Sequence, residues 1–224
     1  MVAEIVNPKK VVLKSDVVDG PNARKVVINF PYLFEKKEFE GKERYSAIFN
    51  LGAVDGPNAS QIRALKAAAA VAAKEKWGDK IPKDIVTPFK MGSHMNKNGP
   101  KEGFLDTDFY INAATDNQPN VVGRDPYTSL TDKRQCYAGC VVNASVNAYA
   151  WEYKGKTGAV MKRGVSFNLQ NVQVVRQEKP IGGMAARPQD DFESLMEDVA
   201  TGVDAGEAVF GAAEEEELDE ALPF

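Results

Sequence analysis

Charge is distributed very unevenly along this chain, and that unevenness limits what it can fold into. All 28 lysines and arginines lie at or before Arg187, whereas residues 188–224 contain 13 acidic residues and no basic one. Residues 1–187 therefore hold 28 basic and 19 acidic residues, a formal charge of +9, and residues 188–224 carry −13. So many like charges with few apolar groups cannot offset the entropy lost on ordering a chain. The sequence predicts one folded basic domain, residues 1–187, followed by an acidic, largely disordered tail, residues 188–224.

The basic domain has the residue patterns of a mainly β fold. A single helix is predicted, capped by Ser60 and ending at Trp77, whereas the Pro- and Gly-rich residues 81–103 predict a long basic loop. Short β-branched or alternating segments predict strands at residues 11–14, 24–34, 41–51, 109–114, 120–123, 140–153 and 160–176. One helix between early and late strands fits an OB-fold, a five-stranded Greek-key barrel with extended loops, and also fits other small β barrels.

The motifs of common enzyme classes are missing from the sequence. It has no G-x-x-x-x-G-K-[ST] phosphate loop, no G-x-G-x-x-G after a strand and no G-x-S-x-G. The single histidine, His94, lies in the predicted loop, and Cys136 and Cys140 lack the second ligand pair of a zinc site. We therefore expect no catalytic activity, cofactor or bound metal. Without an apolar signal region or membrane-spanning run, we also expect a cytoplasmic protein with two reduced thiols.

Two acidic residues leave an enzymatic alternative open. Asp106 and Asp108 are spaced so that they could hold Mg²⁺ in a small metal-dependent nuclease, although such sites usually need more carboxylates. Equally, they are acids at the start of a strand that accept hydrogen bonds from turn amides or pair with nearby lysines. A β barrel that binds only other proteins is the remaining alternative.

Aromatic and basic side chains occur together near a predicted hairpin. Tyr149, Trp151 and Tyr153 alternate onto one face of the strand at 140–153, but the opposite face is small and apolar, so either could face the core. Aromatic rings stack on bases of any identity, and adjacent cations contact phosphates. The sequence therefore predicts a nucleic-acid surface. The other candidate residues are Lys154, Lys156, Lys162 and Arg163 beside these rings, Tyr32 and Phe34 around Pro31, and Tyr127 near Arg124.

Four ordered stretches carry a family resemblance. They are Asn-Phe-Pro-Tyr-Leu-Phe at 29–34, Tyr-Ser-Ala-Ile-Phe at 45–49, Tyr-Ala-Gly-Cys-Val-Val at 137–142 and Gly-Val-Ser-Phe-Asn-Leu-Gln-Asn-Val-Gln at 164–173. With an acidic tail that ends in Phe, the chain resembles the OB-fold single-stranded DNA-binding proteins of tailed phages. The resemblance implies a non-sequence-specific protein that coats and protects single-stranded DNA during phage replication and recombination, in the cytoplasm of the host cell.

The resemblance also implies a function for the tail. It implies that the acidic segment competes for the DNA groove and recruits replication proteins such as a polymerase, helicase or primase. A terminal aromatic residue on an acidic segment suits a small apolar pocket ringed by basic residues. The expected partner-binding residues are Asp219, Glu220, Leu222 and Phe224. The sequence leaves a homodimer open and gives no sign of a membrane partner.

Overall fold

The computed structural model describes residues 7–39, 41–97, 99–155 and 158–182. The acidic segment 188–224, its four expected partner-binding residues and Lys156 lie outside the described residues. The division into a folded domain and a tail therefore stays a prediction.

The described residues form eight strands and one α-helix. The chain order is β1 (Lys10–Leu13), β2 (Val27–Phe39), β3 (Lys42–Ala53), α1 (Ala59–Trp77), β4 (Phe89–Met91), β5 (Asp108–Thr115), β6 (Asn120–Val122), β7 (Val141–Lys154) and β8 (Val160–Arg176). Five of these strands close into a ring in the order β2-β3-β5-β8-β7, because β7 pairs with both β8 and β2. The β5–β8 pair is parallel, and the other contacts in the ring are antiparallel. The remaining strands extend the ring: β1 pairs with β7, β4 with β5 and β6 with β8.

The core lies inside the ring and beneath the helix. Phe49, Ile28, Ile111, Phe167 and Val146 are fully or almost fully buried there. On α1 the buried residues follow helical spacing and are mostly small, which lets the helix approach β7 closely. They are Gln61, Ile62, Leu65, Ala68, Ala69, Ala72 and Ala73.

The start of the helix differs from the predicted Ser60 cap. The helix begins at Ala59, so Ser60 lies inside the first turn and is exposed. Asn58 occupies the N-cap position but makes no capping bond, because its Oδ1 accepts from Gln61 Nε2 at 2.6 Å. Its Nδ2 donates to the carbonyls of Lys25 and Leu51 at 2.8 and 2.9 Å. The start of the helix is therefore fixed to β3 and to the segment just before β2 by tertiary contacts that local spacing does not reveal.

Part of the predicted basic loop is built into the sheet. Val86 N donates to the carbonyl of Arg163 at 2.9 Å, and Val86 O accepts from Val165 N at 3.0 Å. A few residues later, β4 pairs with β5. We call residues 84–91 the strap. It lies where β5 and β8 separate, since the direct β5–β8 pairing is limited to Ala113–Phe167 and Ala114–Asn168.

Candidate nucleic-acid interface

The two faces of β7 differ in burial, which answers the question that the sequence left open. Val142, Ala144, Val146 and Ala148 are 0–2% exposed and form the core side beneath α1. On the opposite side Tyr149 and Trp151 are half-buried, and Tyr153 is 58% exposed. The small side chains face inward because the helix packs closely over them, so the three aromatic rings face outward. We call this outward side, with Tyr149, Trp151 and Tyr153, the aromatic face.

Trp151 is held in place by a neighbouring strand and the strap. Its indole Nε1 donates to Ser166 Oγ at 2.9 Å, and its register partner on β8 is Gly164. A Cβ at position 164 would lie 2.8 Å from Trp151 Cζ2 and 2.7 Å from the carbonyl oxygen of Val86. Because Gly164 has no side chain, the Trp151 ring can lie directly against the β8 backbone at this position. Such a ring is ordered before any ligand arrives, which lowers the entropic cost of stacking.

Arg44 belongs to the same surface, and sequence reasoning missed it. Its Nε and Nη2 atoms donate to the two carboxylate oxygens of Asp116 at 2.7 and 3.1 Å. Hydrogen bonding to Asp116 raises the pKa of Arg44, with a further contribution from the Tyr149 hydroxyl, and Arg44 lowers the pKa of Asp116. Both groups are therefore charged at neutral pH. In the sequence, Arg44 only alternates with Ser46 and Ile48 on one face of the predicted strand at 41–51.

Tyr32 lies on the adjoining strand and carries its own cation. It pairs with Ser46 on β3, two positions from Arg44. Lys37 Nζ lies 4.4 Å from the centroid of the Tyr32 ring and donates to its hydroxyl at 2.6 Å. Phe34, the other predicted residue of this strand, is half-buried. A ring with an ammonium group beside it can offer stacking and phosphate contact at one place.

The β2 backbone is distorted just before Tyr32. The register of β2 against β3 shifts between Asn29 and Tyr32, and Phe30 has a φ of 47°. A positive φ is a costly conformation for a bulky residue, and such strain concentrates where chains bind ligands. Lys101 Nζ lies 5.0 Å from the Phe30 ring centroid, so an exposed lysine of the 81–103 segment meets the bulge.

The cations near the hairpin divide into two groups. Lys154 and Lys162 are exposed, and Lys162 is the register partner of Tyr153. Arg163 instead pairs in register with Glu152 and forms an ion pair with Asp84 of the strap at 3.4 Å. The structure therefore places two of the predicted cations beside the aromatic rings, and it places Arg163 on the alternate side.

Arg124 and Tyr127 lie elsewhere. Arg124 Nε donates to the carbonyl of Val175, and Tyr127 is 93% exposed in the segment after β6. Val175 and Gly164 are both on β8, eleven positions apart, a distance of about 35 Å along a strand. The structure does not bring this predicted pair next to Trp151.

The two acids of the nuclease alternative have different environments. Asp108 is buried, and its Oδ2 accepts hydrogen bonds from Asn50 Nδ2 at 2.7 Å and from Leu105 N at 2.9 Å. Asp106 is exposed. Asp108 thus fills the turn-bonding role that was one of the two interpretations of this pair. Among the residues that the structure describes, no group of three or more histidine, cysteine or acidic side chains is placed to hold a metal ion.

The two cysteines are buried and unbonded to one another. Burial raises the pKa of Cys140 to about 12 and also raises the pKa of Cys136. Both thiols are therefore protonated at neutral pH. The form of cysteine that attacks electrophiles or binds metals is the thiolate, so neither residue is in its reactive form. No helix in the described part of the chain combines the length and the apolar character that crossing a membrane requires.

Comparison with known proteins identifies the family. A family model described as the single-stranded DNA-binding protein of Enterobacter phage Enc34 matches residues 22–203. That span contains all five strands of the barrel ring and the whole aromatic face. The chain belongs to the Enc34 family of phage single-stranded DNA-binding proteins.

Other known proteins are similar to this chain in sequence or in fold. Protein p50 of Acyrthosiphon pisum secondary endosymbiont phage 1 is 25% identical over 175 residues, which cover 76% of this chain and 90% of that protein. The solved structure of the Enc34 protein in complex with single-stranded DNA has a TM-score of 0.54 at 16% identity, covering 74% of this chain and 96% of that one. A second structure of the Enc34 protein has the same TM-score and identity and covers 83% and 99%.

The likeness to these structures concerns the fold. The predicted OB-fold with one main helix is confirmed, as is the resemblance to phage single-stranded DNA-binding proteins. The five-stranded ring described above is the barrel, and the edge strands β1, β4 and β6 account for the larger eight-stranded sheet.

Proposed function

We propose that this member of the Enc34 family binds single-stranded DNA without sequence preference, and that it coats and protects the strand during phage DNA replication and recombination. The observation that supports this most directly is the aromatic face. Tyr149, Trp151 and Tyr153 lie outward on one strand, with exposed Lys154 and Lys162 beside them.

The chemistry of this surface favours unpaired DNA over a duplex. Base–aromatic stacking contributes about 1–3 kcal/mol per base and does not depend on base identity. In a duplex the bases already stack on one another, so their faces are inaccessible to Trp151. The lysines act on phosphates, which both forms of DNA share, and that contribution weakens as salt concentration rises. Together these effects predict a strong preference for single strands and a steep salt dependence.

The acidic segment is the second part of the proposal. Residues 188–224 carry a formal charge of −13 against +9 on residues 1–187. A polyanion attached to a cationic surface competes with DNA phosphates for that surface at high effective concentration. Its end, with Asp219, Glu220, Leu222 and Phe224, has the acidic and apolar groups suited to recruit a replication protein with a basic-rimmed apolar pocket.

A binding experiment tests the role of the aromatic face. We expect fluorescently labelled oligo-dT to bind the protein with a Kd in the micromolar range or below, and a duplex of equal length to bind more weakly. Trp151→Ala should weaken oligo-dT binding by about tenfold or more, since it removes one stacking platform. Anisotropy of the labelled DNA measures this without relying on tryptophan emission.

Trp77 provides the matched control. It is the other tryptophan of the chain, and its Nε1 donates to Glu152 at 2.8 Å on the side of β7 opposite Trp151. Trp77→Phe should leave affinity within twofold and leave DNA-induced quenching of the Trp151 emission intact. Equal affinity for duplex and single strand, or equal effects of the two substitutions, would contradict the proposal.

A further inference from the structure

A groove lined by amides lies on the same pair of strands as the aromatic face. Its polar lining comes from β6, β7, β8 and the segment after β6, and its volume is about 400 Å³. Val12, Val122 and Pro126 supply apolar walls. We call this the amide groove, defined by Asn120, Asn143, Asn171 and Gln173 together with Ser129 and Ser145.

The register of β7 and β8 makes the aromatic face and the amide groove two ends of one surface. Residues at alternate positions of β7 face outward, and each has an outward partner on β8. The ten residue steps from Asn143 to Tyr153 span about 33 Å along the strand. This length is compatible with the four to sixteen nucleotides that an OB-fold occupies. In order, the pairs are Tyr153–Lys162, Trp151–Gly164, Tyr149–Ser166, Asn147–Asn168, Ser145–Asn171 and Asn143–Gln173.

The groove offers neutral hydrogen-bonding groups rather than charge. Asn143 Nδ2 donates to Gln173 Oε1 at 2.9 Å, Asn171 Nδ2 to Ser145 Oγ at 3.1 Å and Asn120 Nδ2 to Asn171 Oδ1 at 3.2 Å. A side-chain amide has two donor hydrogens and two acceptor lone pairs. Asn143 Oδ1 also accepts from Ser15 N at 2.8 Å. These bonds hold the amides in position, and because each uses only one hydrogen or one lone pair, the side chains that line the groove keep further capacity to donate and accept. Unpaired bases carry the same mixture of groups along their Watson–Crick edge.

The rim of the groove carries the two predicted residues that lie far from Trp151. Gln173 Nε2 donates to the backbone carbonyl of Arg124 at 3.0 Å, so the Arg124 segment borders the groove directly. Arg124 is exposed, and so is Tyr127, whose neighbour Pro126 lines the groove. A cation and a ring therefore lie beside the amides, as they do at the aromatic end.

We propose that the amide groove binds the Watson–Crick edge of an unpaired base belonging to the same DNA strand that stacks on the aromatic face. This inference rests on the proposed function and extends it: one end of the β7–β8 surface stacks on base faces, and the other end hydrogen-bonds to base edges, with Arg124 beside the neighbouring phosphate. Because the amides are neutral, their contribution persists at salt concentrations that weaken the phosphate contacts.

A chemical double-mutant cycle tests this proposal. The probes are oligo-dT of roughly 12 nucleotides and the same oligonucleotide with abasic sites at the 5′ end or at the 3′ end. Each abasic end should weaken binding to the wild-type protein, one through lost stacking and the other through lost hydrogen bonds. For the groove end we expect a loss of about threefold to tenfold that is insensitive to salt.

In the double variant Asn171→Ala, Gln173→Ala, abasic sites at the end of the oligonucleotide that meets the groove should no longer weaken binding. Abasic sites at the end that meets the aromatic face should still weaken it. The matched control is Gln170→Ala, Gln177→Ala, which removes two exposed amides that do not line the groove and should keep both penalties. Ser129→Trp obstructs the groove from an exposed wall position and should reproduce the groove variant without removing any amide.

The outcomes separate this inference from the proposed function. If both groove variants retain the full penalties at both ends while Trp151→Ala weakens binding, the amide groove has no contact with DNA and the inference is wrong. If wild-type protein binds none of the oligonucleotides, the proposed function fails and the inference fails with it. Loss of the penalty at one end in both groove variants establishes it.

Discussion

Arg44 is a cation on the aromatic side of the barrel whose charge is offset by a neighbour. Asp116 accepts two hydrogen bonds from it, and the pKa of that carboxyl is lowered as a result. The carboxylate consequently stays ionised down to acidic pH. In the proposed complex it would repel a DNA phosphate at the same place where Arg44 would attract it. The Arg44–Asp116 ion pair is therefore intact above the ordinary pKa of an aspartate. It is lost only as the pH falls through the lowered pKa of Asp116.

Removing that negative charge should strengthen DNA binding. We expect Asp116→Asn to tighten oligo-dT binding by about twofold to fivefold at low salt, with the gain disappearing at high salt, because the effect of an exposed charge is small and is screened by salt. Asp55→Asn makes the same change at an exposed position beyond the other end of β3. Anisotropy titrations at two salt concentrations compare them, and equal gains in both variants would rule out a local effect.

At the scale of elements, the strap and the β7–β8 hairpin depend on Gly164 for their close approach. The Val86 carbonyl and the Trp151 ring both occupy the space that a side chain at this position would need. We expect Gly164→Ala to lower the free energy of unfolding by about 1–3 kcal/mol, as overpacking does. The displaced indole should also change its emission maximum and weaken oligo-dT binding.

Gly20→Ala is the control for this substitution. A Cβ there meets nothing within 4 Å, and Gly20 is not among the glycines with positive φ. Its free energy of unfolding, measured by urea denaturation, should stay within about 0.5 kcal/mol of wild type. Similar midpoints for the two alanine variants would show that the strap moves aside freely.

The long strands were predictable because their patterns are local. The expected strands at 140–153 and 160–176 are found at Val141–Lys154 and Val160–Arg176, and the expected helix end at Trp77 is observed. The strap was not predicted, because β4 has three residues between proline and glycine and exists only through its pairing with β5. A strand defined by a partner distant in sequence leaves no periodic signal of its own.

The candidate interface was predictable to a similar extent. The alternation of Tyr149, Trp151 and Tyr153 located the aromatic face, but only the packing of α1 on the other side of β7 determined that it faces outward. Arg44 was not predicted as a site residue, because its partner Asp116 is 72 residues away in sequence. Likewise, only the register of β8 shows that Lys162 lies on the same side of the hairpin as the aromatic rings and Arg163 on the other side. The contact of Arg124 with Val175, near the end of β8, is also visible only in the structure.

At the scale of the whole molecule, the charge imbalance between residues 1–187 and the acidic segment should control affinity. Deleting residues 190–224 removes 13 acidic groups and no basic one. We expect the truncated protein to bind oligo-dT more tightly, with the largest difference at low salt, because a competing polyanion has been removed. Affinity that does not change on truncation would contradict competition for the DNA surface.

Removing Phe224 alone is the matched comparison for the truncation. It leaves all 13 acidic groups in place, so DNA affinity should stay within twofold of the full chain. Capture of a replication protein by the tail should be lost in the same variant. Retained capture would show that the terminal ring is not part of the recruiting segment.

The topology of the eight-stranded sheet affects how the chain can fold during synthesis. β1 lies near the start of the chain, yet its partner residues on β7 are synthesised about 130 residues later, and β8 completes the ring only at Arg176. Contacts so distant in sequence cannot form until both of the pairing strands have left the ribosome. Since β7 and β8 also carry the aromatic rings and amides that we propose to contact DNA, a polypeptide that stops before β8 has neither a closed barrel nor this complete surface.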